Sequence, residues 1–295
     1  MKLSQLLLVV AISVIVTVIT SVCMISHNEE NNVPKNNIRE SAYDRVMRTQ
    51  TIRCGYAVWP PSIIKDPNTG SLSGIEYEYV EALGAALKLK IDWAEEIGWG
   101  DFPAALEAGR IDAFCVGPWP NSARARQVDF VQPIFYQPLY AYARADDLRF
   151  DNNLDAINNP NITVATIDGE MSSMIAVKDF PQAKTMQLPQ LSTASEPMLN
   201  IVDKKADVAF TDPVSFAEYD TKNPGKLRRI PSKMPIRVFG VPLAIARGQD
   251  ELRRMLDTST IELLSSGQIE KIIVKYEQYP GTLLRVAPSY QPFNP

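Results

Sequence analysis

The sequence predicts an α/β fold of two similar lobes, and two observations support this prediction. Residues 103–117 and 197–212 repeat one order of features: a helical segment, a basic turn, an aspartate, an apolar strand and a polar strand end. Two extended apolar runs, residues 130–143 and 238–246, are placed as crossovers between lobes. The middle of the chain should therefore form an inserted lobe, which makes the first lobe discontinuous.

Local signals predict the remaining elements in chain order. Ser41 can cap a short helix, and apolar residues recur at helical spacing after Gly74. Prolines at 133 and 138 make the first apolar run a better crossover than a central strand. Helices are predicted at residues 42–49, 74–87, 99–108, 171–178, 250–264 and 268–276, strands at residues 51–58, 90–95, 111–116 and 162–167, and an irregular tail after Pro280.

Composition bounds the size and the chemistry of the protein. The 295 residues are 45% hydrophobic and 22% charged, enough to bury a core in one large or two medium domains. A formal net charge of -4 gives no signal for polyanion binding, so no nucleic-acid partner is expected. The single histidine, His27, lies outside the segments expected to fold, which excludes His-based triads and multi-His metal sites. We expect no metal and no cofactor.

The N-terminal residues predict export. Residues 6–25 carry no charge and are long enough to cross a bilayer. We assign residues 1–26 to a signal or membrane anchor and residues 27–41 to a polar, flexible tether. Val22 occupies the position where cleavage or lipidation before Cys23 would require a small residue, which favours a retained anchor.

The flanking charges orient that segment. Lys2 precedes it and Glu29 and Glu30 follow it, which places the amino terminus in the cytoplasm. The rest of the chain is then periplasmic or otherwise extracytoplasmic and tethered to the inner membrane. Cleavage, lipidation and retention remain alternatives. We assign residues 42–137 and 242–295 to lobe 1, and residues 138–241 to lobe 2.

Two cysteines lie in predicted strands, Cys54 and Cys115. A disulfide requires the two strands to be neighbours in an exported protein, and bridges between adjacent strands are geometrically demanding. Buried free thiols are therefore the favoured interpretation and a disulfide the alternative.

The most informative stretch is residues 109–136, in which a buried strand ends at Gly117-Pro118 and Arg124 follows. Ligands of open α/β sheets collect where strands end, and a guanidinium there offers a fork of donors to a carboxylate or phosphate. The second copy of the pattern ends in Asp212. Arg124 and Asp212 together predict a cleft with opposite charges on its walls, suited to a small zwitterion. Each of them could instead form a structural salt bridge.

Several other acidic residues have simpler structural roles open to them. Glu170 either caps the helix that follows it or faces the ligand. Glu76 and Glu78 are expected to be exposed helix residues. Asp112 and Asp207, at the strand starts, should be structural caps at the sheet end away from the cleft.

Several segments together resemble the family 3 periplasmic solute-binding proteins, the type II binding proteins of polar amino-acid ABC transporters. They are spread in family order over residues 45–278. The segments are GIEYEYVEALGAAL at 74–87, ALEAGRIDAF at 105–114, SARARQVDFVQPIFY at 122–136, VATIDGE at 164–170 and KADVAFTDP at 205–213. The resemblance implies two lobes that close on a ligand by a hinge motion, an ABC permease as partner, and a monomer without enzymatic activity.

The resemblance also implies roles for individual residues. Arg124 would clamp the ligand's α-carboxylate and Asp212 would take its α-amino group. The remaining ligand-binding candidates are the loop Gly169, Glu170 and Met171, the aromatic residues Tyr56, Trp59, Trp99 and Trp119, and Gly117. The residues Trp119 and Glu170 depart from the family pattern, so the identity of the amino acid-like solute stays open.

The sequence leaves two alternative functions open. Some relatives are dehydratases of the cyclohexadienyl (prephenate or arogenate) type, in which Glu170 would be a general acid with a raised pKa. The general acid of those enzymes lies further along the loop, where this chain has Ser172 and Ser173. A ligand sensor is the other alternative, since the anchor would permit contact with a membrane partner.

Overall fold

The computed structural model describes residues 15–21 and 40–286. Residues 15–21 are helical. The membrane segment predicted at residues 6–25 and the tether at residues 27–41 lie largely outside the described residues. Within the described ranges, no helix is both long enough and apolar enough to cross a bilayer.

The helices of residues 40–286 mostly follow the predicted ones. They are α1 (Ala42–Thr49), α2 (Ile75–Leu87), α3 (Phe102–Ala108), α4 (Met171–Asp179), α5 (Ser195–Val202), α6 (Pro213–Lys222), α7 (Asp250–Ser265) and α8 (Gln268–Tyr276). Local chemistry sets their ends. The Ser41 side chain accepts the N–H of Asp44 at the start of α1, and Gly109 ends α3 with a φ of 69°.

The strands form two main sheets and a small hairpin. They are β1 (Thr51–Tyr56), β2 (Ile64–Lys65), β3 (Leu72–Ser73), β4 (Lys90–Glu96), β5 (Ala113–Phe114), β6 (Val128–Phe130), β7 (Phe135–Arg144), β8 (Thr163–Ile167), β9 (Lys184–Leu188), β10 (Val208–Thr211), β11 (Leu227–Arg229), β12 (Arg237–Gly240), β13 (Ala244–Ala246) and β14 (Leu284–Arg285). The first sheet has the order β4-β1-β5-β13-β6. The second has the order β11-β7-β10-β8-β9, with β12 and β14 also paired to β7.

The strand β7 corrects one prediction and confirms another. It carries the chain from the first sheet to the second, as a crossover should, but it also lies between β10 and β11 within the second sheet. Pro138 does not exclude β7 from the sheet, because the residues from Tyr136 to Leu139 all pair with β12. The predicted irregular tail also contains a strand, since β14 pairs with Tyr136 and Phe135 of β7.

The predicted repeat is present in both sheets. Asp112, before β5, accepts the N–H of Arg53 on β1 at 2.7 Å. Asp207, before β10, accepts the N–H of Thr163 on β8 at 3.0 Å. Each aspartate also pairs with two arginines, Arg45 and Arg53 for the first and Arg144 and Arg149 for the second. Both residues are structural caps, as predicted.

Cys54 and Cys115 form a disulfide, with their Cα atoms 5.5 Å apart. The expectation of free thiols was wrong. The strand β1 is parallel to β5 and residue 54 pairs with residue 113, so Cys115 lies just beyond the end of the paired segment. At that place the bridge does not have to fit between two continuously paired strands.

Candidate functional site

A narrow cavity lies at the strand ends of the two sheets, between residues of both. Its volume is about 20 Å³. That is room for little more than one water, so the walls must move apart to admit a larger solute. The lining residues are Trp59, Ser62, Glu76, Trp99, Val116, Gly117, Trp119, Arg124, Gln137, Glu170 and Val241.

Arg124 lies in this cavity with 4% of its surface exposed. It begins a 3-10 turn, and its own N–H donates to the side chain of Asn121, which fixes the turn. Its Nη1 donates to the carbonyl of Trp119 at 2.8 Å, and its Nη2 donates to the carbonyl of Gly169 at 2.8 Å. A weaker bond of 3.5 Å joins Nη2 to the carbonyl of Trp99. Since a guanidinium has five N–H donors, two remain for a ligand.

The charge of Arg124 is poorly compensated. Among the described residues, no carboxylate forms an ion pair with it, and the guanidinium lies over the ring of Phe102 at 5.3 Å from its centroid. Burial lowers the pKa of Arg124 to about 10, and the nearby charge of Glu170 offsets part of this effect. Arg124 is therefore a desolvated cation at neutral pH, which an anionic ligand group would stabilise.

Three of the predicted residues, all tryptophans, form aromatic walls of the cavity. Trp59 and Trp99 meet edge to face with ring centroids 5.6 Å apart. Trp119 stacks on Phe239 of β12 at 5.0 Å, and its indole N–H donates to Gln137 Oε1 on β7 at 3.3 Å. Trp119 thus connects the cavity to both strands that cross between the sheets.

Glu170 both caps a helix and lines the cavity. It is the N-cap of α4, where its Oε2 accepts the N–H of Ser172 at 2.6 Å, and it lines the cavity. Burial raises the pKa of Glu170, whereas hydrogen bonds from Ser172 and Met171 and the charge of Arg124 lower it.

Asp212 is buried beside the cavity but is not one of its lining residues. It is the N-cap of α6, with Pro213 following it, as is common at the first helical position. Its Oδ1 accepts the N–H groups of Val214 and Ser215 at 3.0 and 2.9 Å, and its Oδ2 accepts the hydroxyl of Ser215 at 2.8 Å. Burial raises the pKa of Asp212, and Ser215, Trp59 and Val214 lower it.

The other predicted residues divide into two groups. Gly117 lines the cavity and Gly169 supplies the carbonyl that binds Arg124. Tyr56 and Met171 are buried but are not lining residues, and Tyr56 packs edge to face against Trp93 at 5.9 Å.

The sequence interpretation missed two polar groups in the cavity. Glu76 was expected to be exposed, yet it is 1% exposed. Its Oε2 accepts the N–H of Gly117 at 2.9 Å, while its Oε1 has no hydrogen-bonding partner among the described residues. The same holds for Nε2 of Gln137. Burial raises the pKa of Glu76 to about 8, although hydrogen bonds with the Gly117 backbone and the Ser62 side chain act to lower it.

A signal for Glu76 was present in the sequence. Glu76, Tyr79, Val80 and Leu83 are spaced i, i+3, i+4 and i+7 on α2, and all four are buried. A carboxyl group on the apolar face of a helix must be compensated or functional. In the described part of the chain, no three His, Cys, Asp or Glu side chains are grouped to hold a metal ion.

Comparison with known proteins gives one family. The family described as "Bacterial extracellular solute-binding proteins, family 3" matches residues 52–279. An L-arginine-binding protein of Pseudomonas aeruginosa is 23% identical over 225 residues, which cover 75% of this chain and 85% of that protein. A probable amino-acid ABC transporter-binding protein of Haemophilus influenzae is 21% identical, covering 81% of this chain and 89% of its own.

The solved structures include an ancestral amino acid-binding protein, a precursor of cyclohexadienyl dehydratase. It has a TM-score of 0.69 and 22% identity, and the match covers 80% of this chain and 99% of the other. At this identity the likeness shows the fold alone, an α/β fold of two lobes.

Proposed function

Because the chain belongs to the bacterial extracellular solute-binding proteins of family 3, we propose that it captures a small amino acid-like solute in the cavity between its lobes. The observation that carries this proposal is Arg124, a buried cation with two unused N–H donors and, among the described residues, no ion-pair partner. A ligand carboxylate would supply the missing negative charge and accept those donors.

The aromatic walls support a ligand with an apolar part. Trp59, Trp99 and Trp119 offer flat apolar surfaces around the charged group, as is common in small-molecule sites. The loop from Gly169 to Met171 would complete the carboxylate site once Arg124 releases the Gly169 carbonyl. Two buried carboxyl groups, Asp212 and Glu76, are available for a ligand ammonium group.

A hinge motion would admit the ligand. We propose that residues 42–137 and 242–295 form lobe 1 and residues 138–241 lobe 2, joined by β7 and β12. The narrowness of the cavity supports this proposal, because a solute of amino-acid size fits only after the lobes separate. Ligand binding would then favour the closed state.

Delivery to an ABC permease is the proposed use of the captured solute. It rests on the similarity to the probable transporter-binding protein of Haemophilus influenzae. We further propose that residues 1–26 direct export and that, if retained, they hold the protein at the inner membrane. Purifying the protein with its membrane fraction and sequencing its amino terminus would test both points.

A thermal-shift screen tests the central proposal. The full-length protein is heated with each of the twenty L-amino acids, and a ligand that binds the folded state raises Tm by mass action, by about 2.7 kcal/mol of stability at one hundred times Kd. We expect at least one amino acid to raise Tm, and Arg124→Ala to abolish that shift. Arg126→Ala is the matched control, since Arg126 is exposed two residues away. No shift with any amino acid, or an equal shift in Arg124→Ala, would refute the proposal.

A further inference from the structure

Gln190, in the loop after β9, contacts the loop after β4. Its Oε1 accepts the N–H of Gly100 at 2.8 Å. The strand β9 belongs to the second sheet and β4 to the first, so this hydrogen bond joins the two proposed lobes. Neither residue lines the narrow cavity, so the contact is separate from the one between Arg124 and Gly169.

The loop after β4 forms a notch that fits the Gln190 side chain. A Cβ on Gly98 would lie 2.4 Å from Oε1 and 2.8 Å from Cβ of Gln190, and a Cβ on Gly100 would lie 3.1 Å from both Oε1 and Nε2. In each case the nearest atoms belong to Gln190. Neither glycine has a positive φ, so the backbone conformation does not require glycine at these positions. The docked Gln190 accounts for the missing side chains.

Trp99, between these two glycines, connects the notch to the proposed site. It lines the narrow cavity that contains Arg124, and it also lines a second cavity of about 350 Å³. The second cavity lies between residues of proposed lobe 1 and residues 190–193 of proposed lobe 2. Trp99 is therefore part of the wall between the narrow cavity and the wider one, and Gln190 docks on the backbone at both sides of it.

The contacts of Gln190 give it no role inside its own lobe. Among the described residues, the one hydrogen bond of its side chain goes to Gly100. Gln187, three residues earlier, instead donates to Asp168 and Ser173, which both belong to proposed lobe 2. The Gln190 side chain is half-exposed, so water can solvate its amide when the lobes separate. Such a contact is easily broken and formed again.

We infer that Gln190 is a latch of the closed protein, a positioning residue that docks between Gly98 and Gly100 and holds Trp99 against the captured solute. This inference rests on the proposed function, and it concerns how long the solute is held rather than which groups bind it. The latch forms only after the solute has entered. It therefore slows release and leaves the rate of association unchanged.

Stopped-flow kinetics with the full-length protein test the inference. The ligand is the one of the twenty L-amino acids that raises Tm most, and tryptophan fluorescence gives the rates of association and release. Gln190→Met keeps the length of the side chain but lacks Oε1. We expect release to be about 3- to 10-fold faster and association to stay within about twofold of the native rate. Gln187→Met is the matched control, and both of its rates should be native.

Thermal unfolding separates a latch from a residue that only stabilises the fold. In the absence of ligand, Gln190→Met should melt at the native temperature, because the notch is not occupied when the lobes are apart. With the amino acid in excess, its Tm should be lower than that of the native protein. An equal decrease with and without ligand would contradict the inference.

A double-mutant cycle tests the fit between the notch and its occupant. Gly98→Ala should also speed release, since the new methyl group displaces Gln190. In Gln190→Gly, which has no side chain to displace, the same change should have little further effect. Additive effects, or a native release rate in Gln190→Met, would overturn the inference and leave the proposed function standing. Failure of every amino acid to bind the native protein would overturn both.

Discussion

Arg124 and Gly169 join the two proposed lobes: the Arg124 guanidinium donates to the Gly169 carbonyl at 2.8 Å. The same glycine approaches the backbone of Gly100 so closely that a Cβ on residue 169 would lie 2.4 Å from the Gly100 nitrogen. The close approach of the two proposed lobes therefore requires a glycine at position 169. A ligand carboxylate must compete with the Gly169 carbonyl for the Arg124 guanidinium.

Gly169→Ala should weaken ligand binding by keeping the lobes apart. The new methyl group would collide with the Gly100 backbone, and the φ of 72° adds strain. Gly225→Ala is the matched control, because its φ is 69° and nothing lies within 4 Å of its Cβ position. Isothermal titration should show at least about a tenfold loss of affinity for Gly169→Ala. Equal affinities in the two variants would contradict an interlobe role for Gly169.

Trp119→Phe should destabilise the fold by about 1–3 kcal/mol, since it leaves Gln137 Oε1 buried without its donor. The comparison is Trp93→Phe. The Trp93 indole N–H donates to Glu81 at 2.8 Å, but both residues are half-exposed, so water can replace the donor. Urea unfolding of both variants checks this difference. A larger loss of stability in Trp93→Phe than in Trp119→Phe would contradict the importance of the buried hydrogen bond from Trp119 to Gln137.

Loss of the Cys54–Cys115 disulfide should lower the free energy of unfolding by roughly 2–4 kcal/mol, because the bridge closes a loop of 61 residues in the unfolded chain. The double variant Cys54→Ala/Cys115→Ala and the native protein under reducing conditions should show similar decreases in guanidinium unfolding. An unchanged midpoint after reduction, with two free thiols counted, would contradict a stabilising bridge.

The stability of the ligand-free protein should depend on Glu76 between about pH 4.5 and pH 8. Burial raises the folded-state pKa of Glu76 from 4.5 to about 8, so the folded state holds a proton that the unfolded state has lost. The contribution of Glu76 to the free energy of unfolding is largest below pH 4.5. It decreases by at most about 1.4 kcal/mol per pH unit as the pH rises from 4.5 to 8, and it no longer changes above pH 8. Relative to the native protein, Glu76→Gln should therefore gain stability from pH 5 to pH 8. Urea unfolding across that range measures the difference, and a constant difference would show that Glu76 titrates normally.

The sequence was most informative at residues whose side-chain type and position at a strand start or end both indicate the same role. The repeat around Asp112 and Asp207 predicted two equivalent strand starts, and both aspartates hold a neighbouring strand in the structure. Arg124 was chosen as a ligand contact because the second copy of the pattern ends in Asp212, which places opposite charges at two equivalent strand ends. The predicted membrane segment lies largely outside the described residues and stays a prediction.

Long-range relationships were harder to predict. The disulfide depends on which strands become neighbours and where their pairing ends, so the expectation of free thiols, based on the geometry of fully paired strands, was wrong. Asp212 was predicted from its place at a strand end, but the helix that begins after it takes up most of its hydrogen bonds. Glu76 was overlooked because charged residues near a helix start are usually solvated, although its spacing placed it on the buried face of α2.

The stacking of Trp119 on Phe239 should make the emission of this indole, one of the four tryptophans of the chain, sensitive to the proposed lobe motion. The indole adjoins the cavity and stacks on β12, a strand that joins the two lobes in the proposed hinge. Its emission wavelength and quenching should therefore follow solute capture in real time, without any added dye, and a stopped-flow trace could distinguish docking from the slower movement that encloses the solute.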